Sequence, residues 1–80
     1  MDKIAQIINE WDPLDFFPSA PLDEYSEEIG QIREYMNTNE KIQVEQLAIA
    51  INEVFVASFG RDIYEEDIKR CEEIARKILS

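Results

Sequence analysis

The chain has 80 residues, of which 18 are Asp or Glu, 8 are Lys or Arg and none is His, so its formal net charge is −10. Hydrophobic residues make up 45% of the chain, a share that is typical of a globular domain and excludes a disordered acidic tail. The acidity also excludes the usual kind of nucleic-acid-binding protein, which needs a basic patch to release the counterions of the phosphate backbone.

The first predicted helix covers roughly residues 2–11, because apolar side chains recur there at the spacing of one helical face. Pro13 disfavours helical geometry in the residue before it, so this helix should end near Trp11. The next stretch, residues 12–21, contains all three prolines of the chain and two adjacent phenylalanines. This stretch is too apolar for a linker, and we predict an ordered loop that folds back onto the core.

Two longer helices are predicted in the middle of the chain, roughly at residues 21–37 and 40–59. The first of them has Pro21 in its first turn, where the missing N–H of proline costs nothing. Residues 37–39 should end it and supply an N-cap for the next helix, which should stop at Gly60 in a left-handed C-cap. The core-facing stripe of the first is Leu22, Tyr25, Ile29, Ile32 and Met36.

The last predicted helix covers roughly residues 62–79 and has Asp62 as its candidate N-cap. No alternating strand pattern occurs anywhere in the chain. The sequence therefore predicts one all-α domain, residues 1–80, built as a small bundle of about four helices with an ordered Pro/Phe-rich loop. The outer face of the last helix contains Glu-to-base pairs in the favourable i,i+4 orientation: Glu65/Lys69, Glu66/Arg70, Glu72/Arg76 and Glu73/Lys77.

Cysteine content and apolar runs indicate the compartment. Cys71 is the only cysteine and cannot form an internal disulfide, which is typical of proteins from a reduced cytosol. The first residues lack the basic and apolar regions of a signal peptide, and no apolar run approaches the roughly 18 residues of a membrane span. We therefore expect a cytoplasmic protein without membrane contact.

The absence of histidine removes the most common general base and the usual nitrogen ligand of zinc and copper. Cys71 lies in the apolar pattern of the last helix, where burial raises the pKa of a thiol and favours a core role over a nucleophilic one. The two glycines are far apart and form no phosphate-binding loop. The sequence therefore predicts a non-enzyme with no catalytic residue, no cofactor and no metal.

A divalent-metal-binding protein is the alternative to that prediction, because oxygen-rich clusters bind Mg²⁺ or Ca²⁺. The regular Asp-x-Asp-x-Asp-Gly loop of a calcium site is missing. A solvated acidic face is the simpler interpretation of the same residues, and Asp23 and Glu27 are candidate partner contacts on it. The acidic residues of the front half that could form such a cluster are Asp12, Asp15, Asp23, Glu24 and Glu27.

Two apolar features are candidates for protein binding. Phe16 and Phe17 are adjacent in the loop and cannot easily point the same way, so one is expected to be partly exposed as an aromatic anchor. On the third helix, Ile42, Ile49 and Val56 are spaced by seven residues and form a strip away from the main apolar face. Such a strip lies either in the middle of the bundle or at an interface with a second copy or another protein.

Short motifs spread over nearly the whole chain are similar to those of a known family. They are IINEWDPL at 7–14, DEY at 23–25 with Glu28-Ile29 after it, LA at 47–48, INEVF at 51–55 and FG at 59–60. Through them the chain resembles the YugE-like family of small uncharacterised bacterial proteins, mostly from bacilli and their relatives. The resemblance implies a small all-helical fold and no known activity. The Trp-Asp-Pro and Asp-Glu-Tyr segments also resemble those of small acidic immunity proteins that neutralise bacterial toxins, a likeness that assigns no functional residue.

The sequence as a whole favours a small, acidic, non-enzymatic protein-interaction module of a bacterial cytosol, which binds a partner protein or itself. Residues 1–60 contain 3 bases and 12 acids, a net charge of −9, so a basic partner should meet this part of the chain. The alternatives are the divalent-metal-binding protein and an immunity-like protein that neutralises a basic toxin. The candidate partner contacts are Phe16, Phe17, Ile42, Ile49, Val56, Asp23 and Glu27.

Overall fold

Four α-helices form the fold in the computed structural model of the chain, which describes residues 2–21 and 23–80. Met1 and Leu22, the first residue of the stripe predicted for the second helix, lie outside the described residues. The described residues contain no strand, and the predicted all-α bundle is confirmed. The helices are α1 (Lys3–Trp11), α2 (Ser26–Thr38), α3 (Val44–Phe59) and α4 (Ile68–Leu79).

Each helix packs against two neighbours, so that the four form a ring around one core. α1 contacts α2 and α4, and α3 contacts the same two helices from the other side. The side chains between them are almost completely buried, and each large aliphatic or aromatic one stabilises the fold by about 1.5–3 kcal/mol through burial. The core consists of Ile8, Tyr25, Ile29, Ile32, Leu47, Ala48, Ile51, Phe55, Tyr64, Cys71, Ile74, Ala75 and Ile78.

α1 has the bounds that the sequence predicts. Asp2 caps its first turn, because the carboxylate accepts the N–H of Ala5 at 2.9 Å. Asp12 ends it in a left-handed conformation with φ of 47°, and its own N–H donates to the carbonyl of Ile8 at 2.9 Å. Aspartate tolerates this conformation better than most residues, so the helix ends at Trp11, two residues before Pro13.

α2 begins at Ser26 and not at residue 21, because the residues before it form turns. The N–H of Ser26 donates to the carbonyl of Asp23 at 3.1 Å, an i→i+3 bond that is typical of a turn. The turn places Tyr25 in the core with no exposed surface. Proline at 21 is therefore part of the loop, and the predicted start was wrong.

α3 begins at Val44, later than the predicted residue 40. The N–H of Gln43 donates to the side-chain oxygen of Gln46 at 2.9 Å, which fixes the N-terminus of the helix at this point. Asn39 was predicted to cap α3, but its side-chain amide donates to the carbonyl of Tyr35 at 2.7 Å. Asn39 therefore ends α2 and does not cap α3.

α4 begins at Ile68, because Asp67 and not Asp62 is its N-cap. The carboxylate of Asp67 accepts the N–H of Arg70 at 3.1 Å. Asp62 lies in the turn that follows α3. Tyr64 falls within the range predicted for this helix but precedes the helix, and it is nevertheless buried in the core.

Gly60 ends α3, as predicted, but in a different conformation. Its φ of 78° is positive, whereas its ψ of 160° lies outside the left-handed helical region that was expected. This part of backbone space is open almost only to glycine. The chain leaves α3 here in an extended direction and turns toward Tyr64.

The four i,i+4 pairs predicted on α4 do not form ion pairs within residues 2–21 and 23–80. Arg70 instead contacts Glu73 at 2.7 Å, and Glu66, in the loop before the helix, contacts Arg61. All of these side chains are solvent-exposed, where an ion pair contributes about 0–1 kcal/mol. α4 is therefore stabilised mainly by its N-cap and by its apolar face.

Candidate functional site

The loop between α1 and α2 is ordered, as predicted, and Asp12 organises it. The carboxylate of Asp12 accepts the N–H of Phe16 at 2.9 Å, the N–H of Phe17 at 3.0 Å and the hydroxyl of Tyr25 at 2.5 Å. The same hydroxyl accepts the N–H of Leu14 at 3.1 Å. One carboxylate and one phenol thus satisfy three loop amides that no helix could satisfy.

These contacts affect the pKa of both groups. Burial opposes ionisation of Asp12, but the hydrogen bonds from Tyr25, Phe17 and Phe16 outweigh it, so the pKa of Asp12 lies below its usual value. Burial and the neighbouring carboxylate raise the pKa of Tyr25. Asp12 is therefore a half-buried acceptor, and both of its carboxylate oxygens accept hydrogen bonds from the loop or from Tyr25.

Phe16 and Phe17 both pack on Tyr25, from different sides. The ring of Phe16 stacks on that of Tyr25 at a centroid distance of 5.5 Å, and the ring of Phe17 meets it edge-on at 5.7 Å. Both rings are partly buried against the core. This arrangement explains how two adjacent phenylalanines share one support, and it favours a structural role over a partner contact.

Cys71 lies in the core, as predicted. Its Sγ is 3.4 Å from the hydroxyl of Tyr64, which donates to Oδ1 of Asn52 at 2.9 Å. Burial raises the pKa of the Cys71 thiol, with a partial offset from the hydrogen bond of Tyr64. A buried thiol of this kind stays protonated and is a poor nucleophile.

The strip predicted on α3 is divided by the fold. Ile42 lies in the loop before α3 and not on the helix as predicted, and both Ile42 and Val56 are partly buried and pack against the core. Ile49, midway between them, is 55% exposed. Of the three residues, Ile49 is the one available to a partner.

Ile49 stands in a shallow depression between α2 and α3 with a volume of about 420 Å³, which we name the α2–α3 groove. Its floor and walls are mainly apolar, since Ala50 and the partly buried Tyr35 and Val54 adjoin Ile49. Polar side chains surround this apolar centre. The polar residues at its edge are Gln31, Gln46 and Glu53.

A second depression of about 400 Å³, which we name the acidic pocket, lies where α2 begins and α3 ends. Asp23 and Glu27, both predicted as partner contacts, line it and are exposed. Phe59 forms an apolar part of its wall. The other residues that line it are Glu24, Ser26, Glu28 and Ser58.

Glu28 is the residue of the acidic pocket that the sequence prediction missed. It is only 5% exposed, yet it has no hydrogen bond or ion pair with any described residue. Its position follows Tyr25 by three residues and precedes Ile32 by four, and both of these are fully buried. That helical spacing indicates burial and could have identified Glu28.

The divalent-metal alternative receives no support from the geometry. Across the described ranges, no group of three or more His, Cys, Asp or Glu side chains is arranged to hold a metal ion. Asp12 is engaged in the loop, and Asp15 is an exposed loop residue with φ of 56°. The acidic pocket is thus a broad acidic surface and not a compact set of ligands.

None of the described helices is both long enough and apolar enough to cross a bilayer. The fold and its two depressions define a small all-α domain with an open face between α2 and α3. The chain belongs to the family described as a domain of unknown function, DUF1871, whose model matches residues 3–80. No curated protein and no solved structure matches the chain.

Proposed function

We propose that the chain is a small, acidic, non-enzymatic protein-interaction module that binds a basic protein partner through the α2–α3 groove. The observation behind this proposal is the exposure of Ile49 in a concave, mainly apolar surface. An apolar centre with a polar edge is the usual composition of a protein-binding patch. A shallow groove between two helices is also a common site for an amphipathic partner helix.

Exposure alone does not distinguish Ile49 from other residues. Ile63, in the turn after α3, is 67% exposed, and single apolar side chains of this kind are normal on the surface of monomers. Ile49 differs because Tyr35 and Val54 stand beside it and leave a concave surface for a partner side chain. Anchors that fill such a surface contribute most of the binding energy of an interface.

Charge supports a basic partner. Residues 1–60 have a net charge of −9, from 3 bases and 12 acids, and residues 61–80 have a net charge of −1, from 5 bases and 6 acids. Both α2 and α3 belong to the first group. A field of one sign steers a partner of opposite charge toward this face and raises the association rate.

The proposed module is non-enzymatic and belongs to a reduced compartment. The chain has no histidine, and its one thiol is buried with a raised pKa, which supports a non-enzymatic role. The lone free cysteine supports a reduced compartment such as the cytosol. The resemblance to the YugE-like family supports a bacterial source, of the kind found in bacilli.

The groove is tested by a charged substitution at its centre. We expect Ile49→Glu to abolish retention of a stoichiometric basic partner from native lysate, because an unpaired carboxylate in a desolvated contact is costly. Ile63→Glu is the matched control, since it changes an isoleucine that is at least as exposed and lies outside the groove. Light scattering after size exclusion measures the oligomeric state of all three proteins.

The outcomes of this test are distinct. Loss of the partner from Ile49→Glu and its retention by Ile63→Glu would support the proposal, provided that both variants keep the far-ultraviolet circular dichroism of the wild type. A wild-type dimer that Ile49→Glu converts to a monomer would show that a second copy occupies the groove. Equal retention by all three proteins would contradict the proposal.

A further inference from the structure

We infer that the segment that occupies the α2–α3 groove is a basic amphipathic α-helix with a lysine or arginine one turn from its apolar anchor, an assignment that rests on the proposed function. Three features of the groove support it. They are the composition of α3, the backbone of the two walls and the charge at the edge.

α3 has more apolar surface than the fold covers. Of its 16 residues, 11 are apolar and only Glu45 and Glu53 are charged. A helix that is apolar on most of its circumference is usually buried on most of it. Yet Ile49 is 55% exposed, and Ala50 and Val54 beside it are only partly buried. The α2–α3 groove is where this uncovered apolar surface is concave, so an added element would pack there.

The backbone of the groove walls favours a helix over an extended segment. Both walls are α-helices, whose N–H and C=O groups bond within the helix. Residues 2–21 and 23–80 contain no strand, so they offer no sheet edge that an extended peptide could join. An extended peptide in an apolar groove would leave some of its own amides without partners, which is costly. A helix satisfies these groups internally and needs only side-chain contacts.

The dimensions of the groove also fit a short helix. On α3 the lining extends from Gln46 to Val54, which is roughly 12 Å along the helix axis, and on α2 it includes Gln31 and Tyr35. A helix of about two to three turns spans this length. A small molecule is less suited, because ligand sites bury most of the ligand surface, whereas this depression is shallow and leaves Ile49 more than half exposed.

The charge at the groove favours a basic helix over a second copy of the chain. Glu53 is an exposed acid at its edge and forms no ion pair with a described residue. No lysine or arginine of the described residues lines the groove, and Arg33 of α2 is paired with Asp2. A two-fold dimer through the groove would bring together the same acidic surface of two chains, each with a net charge of −10. Like charges across an interface are unfavourable, whereas a basic helix is complementary.

Glu53 also indicates where the basic side chain belongs. It follows Ile49 by four residues, so the two lie one helical turn apart, roughly 6 Å along α3. A partner helix aligned with α3 contacts both when its apolar anchor and its basic residue are three or four positions apart. The groove thus selects a sequence pattern, a large apolar residue with lysine or arginine at that spacing.

The test uses four synthetic peptides of about 15 residues, long enough to form a helix when bound. The first has leucines at i, i+3, i+4 and i+7 spacing, with lysines and alanines elsewhere. The second is a scrambled sequence of the same composition, the third has proline at two central alanine positions, and the fourth has glutamate in place of lysine. Each is titrated into the ¹⁵N-labelled full chain, and amide shifts are followed by NMR. We expect the first peptide to shift only amides around the groove, and the other three to bind at least about tenfold more weakly.

Two matched pairs of variants locate the contact on the chain. Ile49→Ser should weaken binding of the first peptide by about tenfold, because the apolar anchor loses its contact. Ile63→Ser, outside the groove, should bind it like the wild type. Glu53→Gln should weaken binding by about threefold, the usual effect of an exposed ion pair. Glu65→Gln removes an exposed glutamate from the loop before α4 and should have no effect.

Four results would overturn the inference. These are equal affinity for the first peptide and any of the other three, shifts spread over the whole acidic surface, equal effects of Glu53→Gln and Glu65→Gln, and a wild-type dimer that Ile49→Ser converts to a monomer. The proposed function is judged separately, by retention of the partner from lysate. Failure of the first peptide to bind, with loss of the partner from Ile49→Glu, would refute the helix and preserve the groove. Peptide binding in the groove, with the partner retained by Ile49→Glu, would refute the proposed function alone.

Discussion

At the scale of single residues, Asp12 determines the path of the chain between α1 and α2. It ends α1 in a left-handed conformation and then accepts two loop amides and the Tyr25 hydroxyl. The sequence predicted an ordered loop from its prolines and phenylalanines, but not this network. A carboxylate in a loop has many potential partners, and only the tertiary position of Tyr25 selects among them.

We predict that Asp12→Asn destabilises the fold by about 1–2 kcal/mol near neutral pH, because hydrogen bonds to a charged acceptor become neutral or are lost. The pH dependence has a definite sign. The pKa of Asp12 is lower in the folded state than its ordinary value of 3.8, so its contribution is complete above that value and is lost as the pH falls below it. Urea unfolding of both proteins at neutral and acidic pH measures this difference.

Asp15→Asn is the matched control for that prediction. It removes the same charge from an exposed residue of the same loop, also at positive φ, where asparagine is well tolerated. We expect its free energy of unfolding to stay close to that of the wild type. Equal losses in the two variants would show that net charge, and not the network of Asp12, is responsible.

At the scale of elements, helix type and order followed from periodicity, whereas helix starts depended on tertiary packing. The stripes at 3.6-residue spacing correctly predicted four helices. Three of the starts were predicted too early, because Pro21, Asn39 and Asp62 each have the character of a helix start. Pro21 and Asp62 instead lie in the loops before α2 and α4, and Asn39 lies at the C-terminus of α2. Tyr25 and Tyr64 are buried in the core, although each precedes the helix in which the sequence placed it.

The start of α4 provides a prediction at this scale. Asp67→Ala should lower the free energy of unfolding by about 1 kcal/mol, because it removes the acceptor of the Arg70 N–H at the first turn. Asp62→Ala should leave it nearly unchanged, although Asp62 was the cap that the sequence predicted. Thermal or urea unfolding of the two variants decides between them, and a larger loss for Asp62→Ala would contradict the structure.

At the scale of the whole molecule, the packing of α2 against α3 creates a surface that neither helix has alone. The sequence predicted Ile49, Asp23 and Glu27 as candidate contacts, and the fold places Ile49 in the α2–α3 groove and the two acids in the acidic pocket. The sequence could not predict that Ser58 and Phe59 lie beside the start of α2, because about 30 residues separate them from it along the chain. Glu28 was not among the predicted contacts for a different reason, since a glutamate is expected at the surface unless it is paired.

The packing of α2 against α3 also concentrates acidic side chains at the two depressions. The excess of acids in residues 1–60 is spread along the chain, but α2 and α3 bring several of them to the two depressions. The α2–α3 groove, with the exposed Ile49 at its centre, is the binding face that we propose.

The most direct test of that binding face is photo-crosslinking in living cells with benzoyl-phenylalanine at position 49. The account predicts one discrete adduct with a basic protein, identified by mass spectrometry. The same amino acid at position 63, which is at least as exposed but lies outside the groove, should give none. No adduct at position 49, or the same adducts at both positions, would contradict the claim that the α2–α3 face binds a protein.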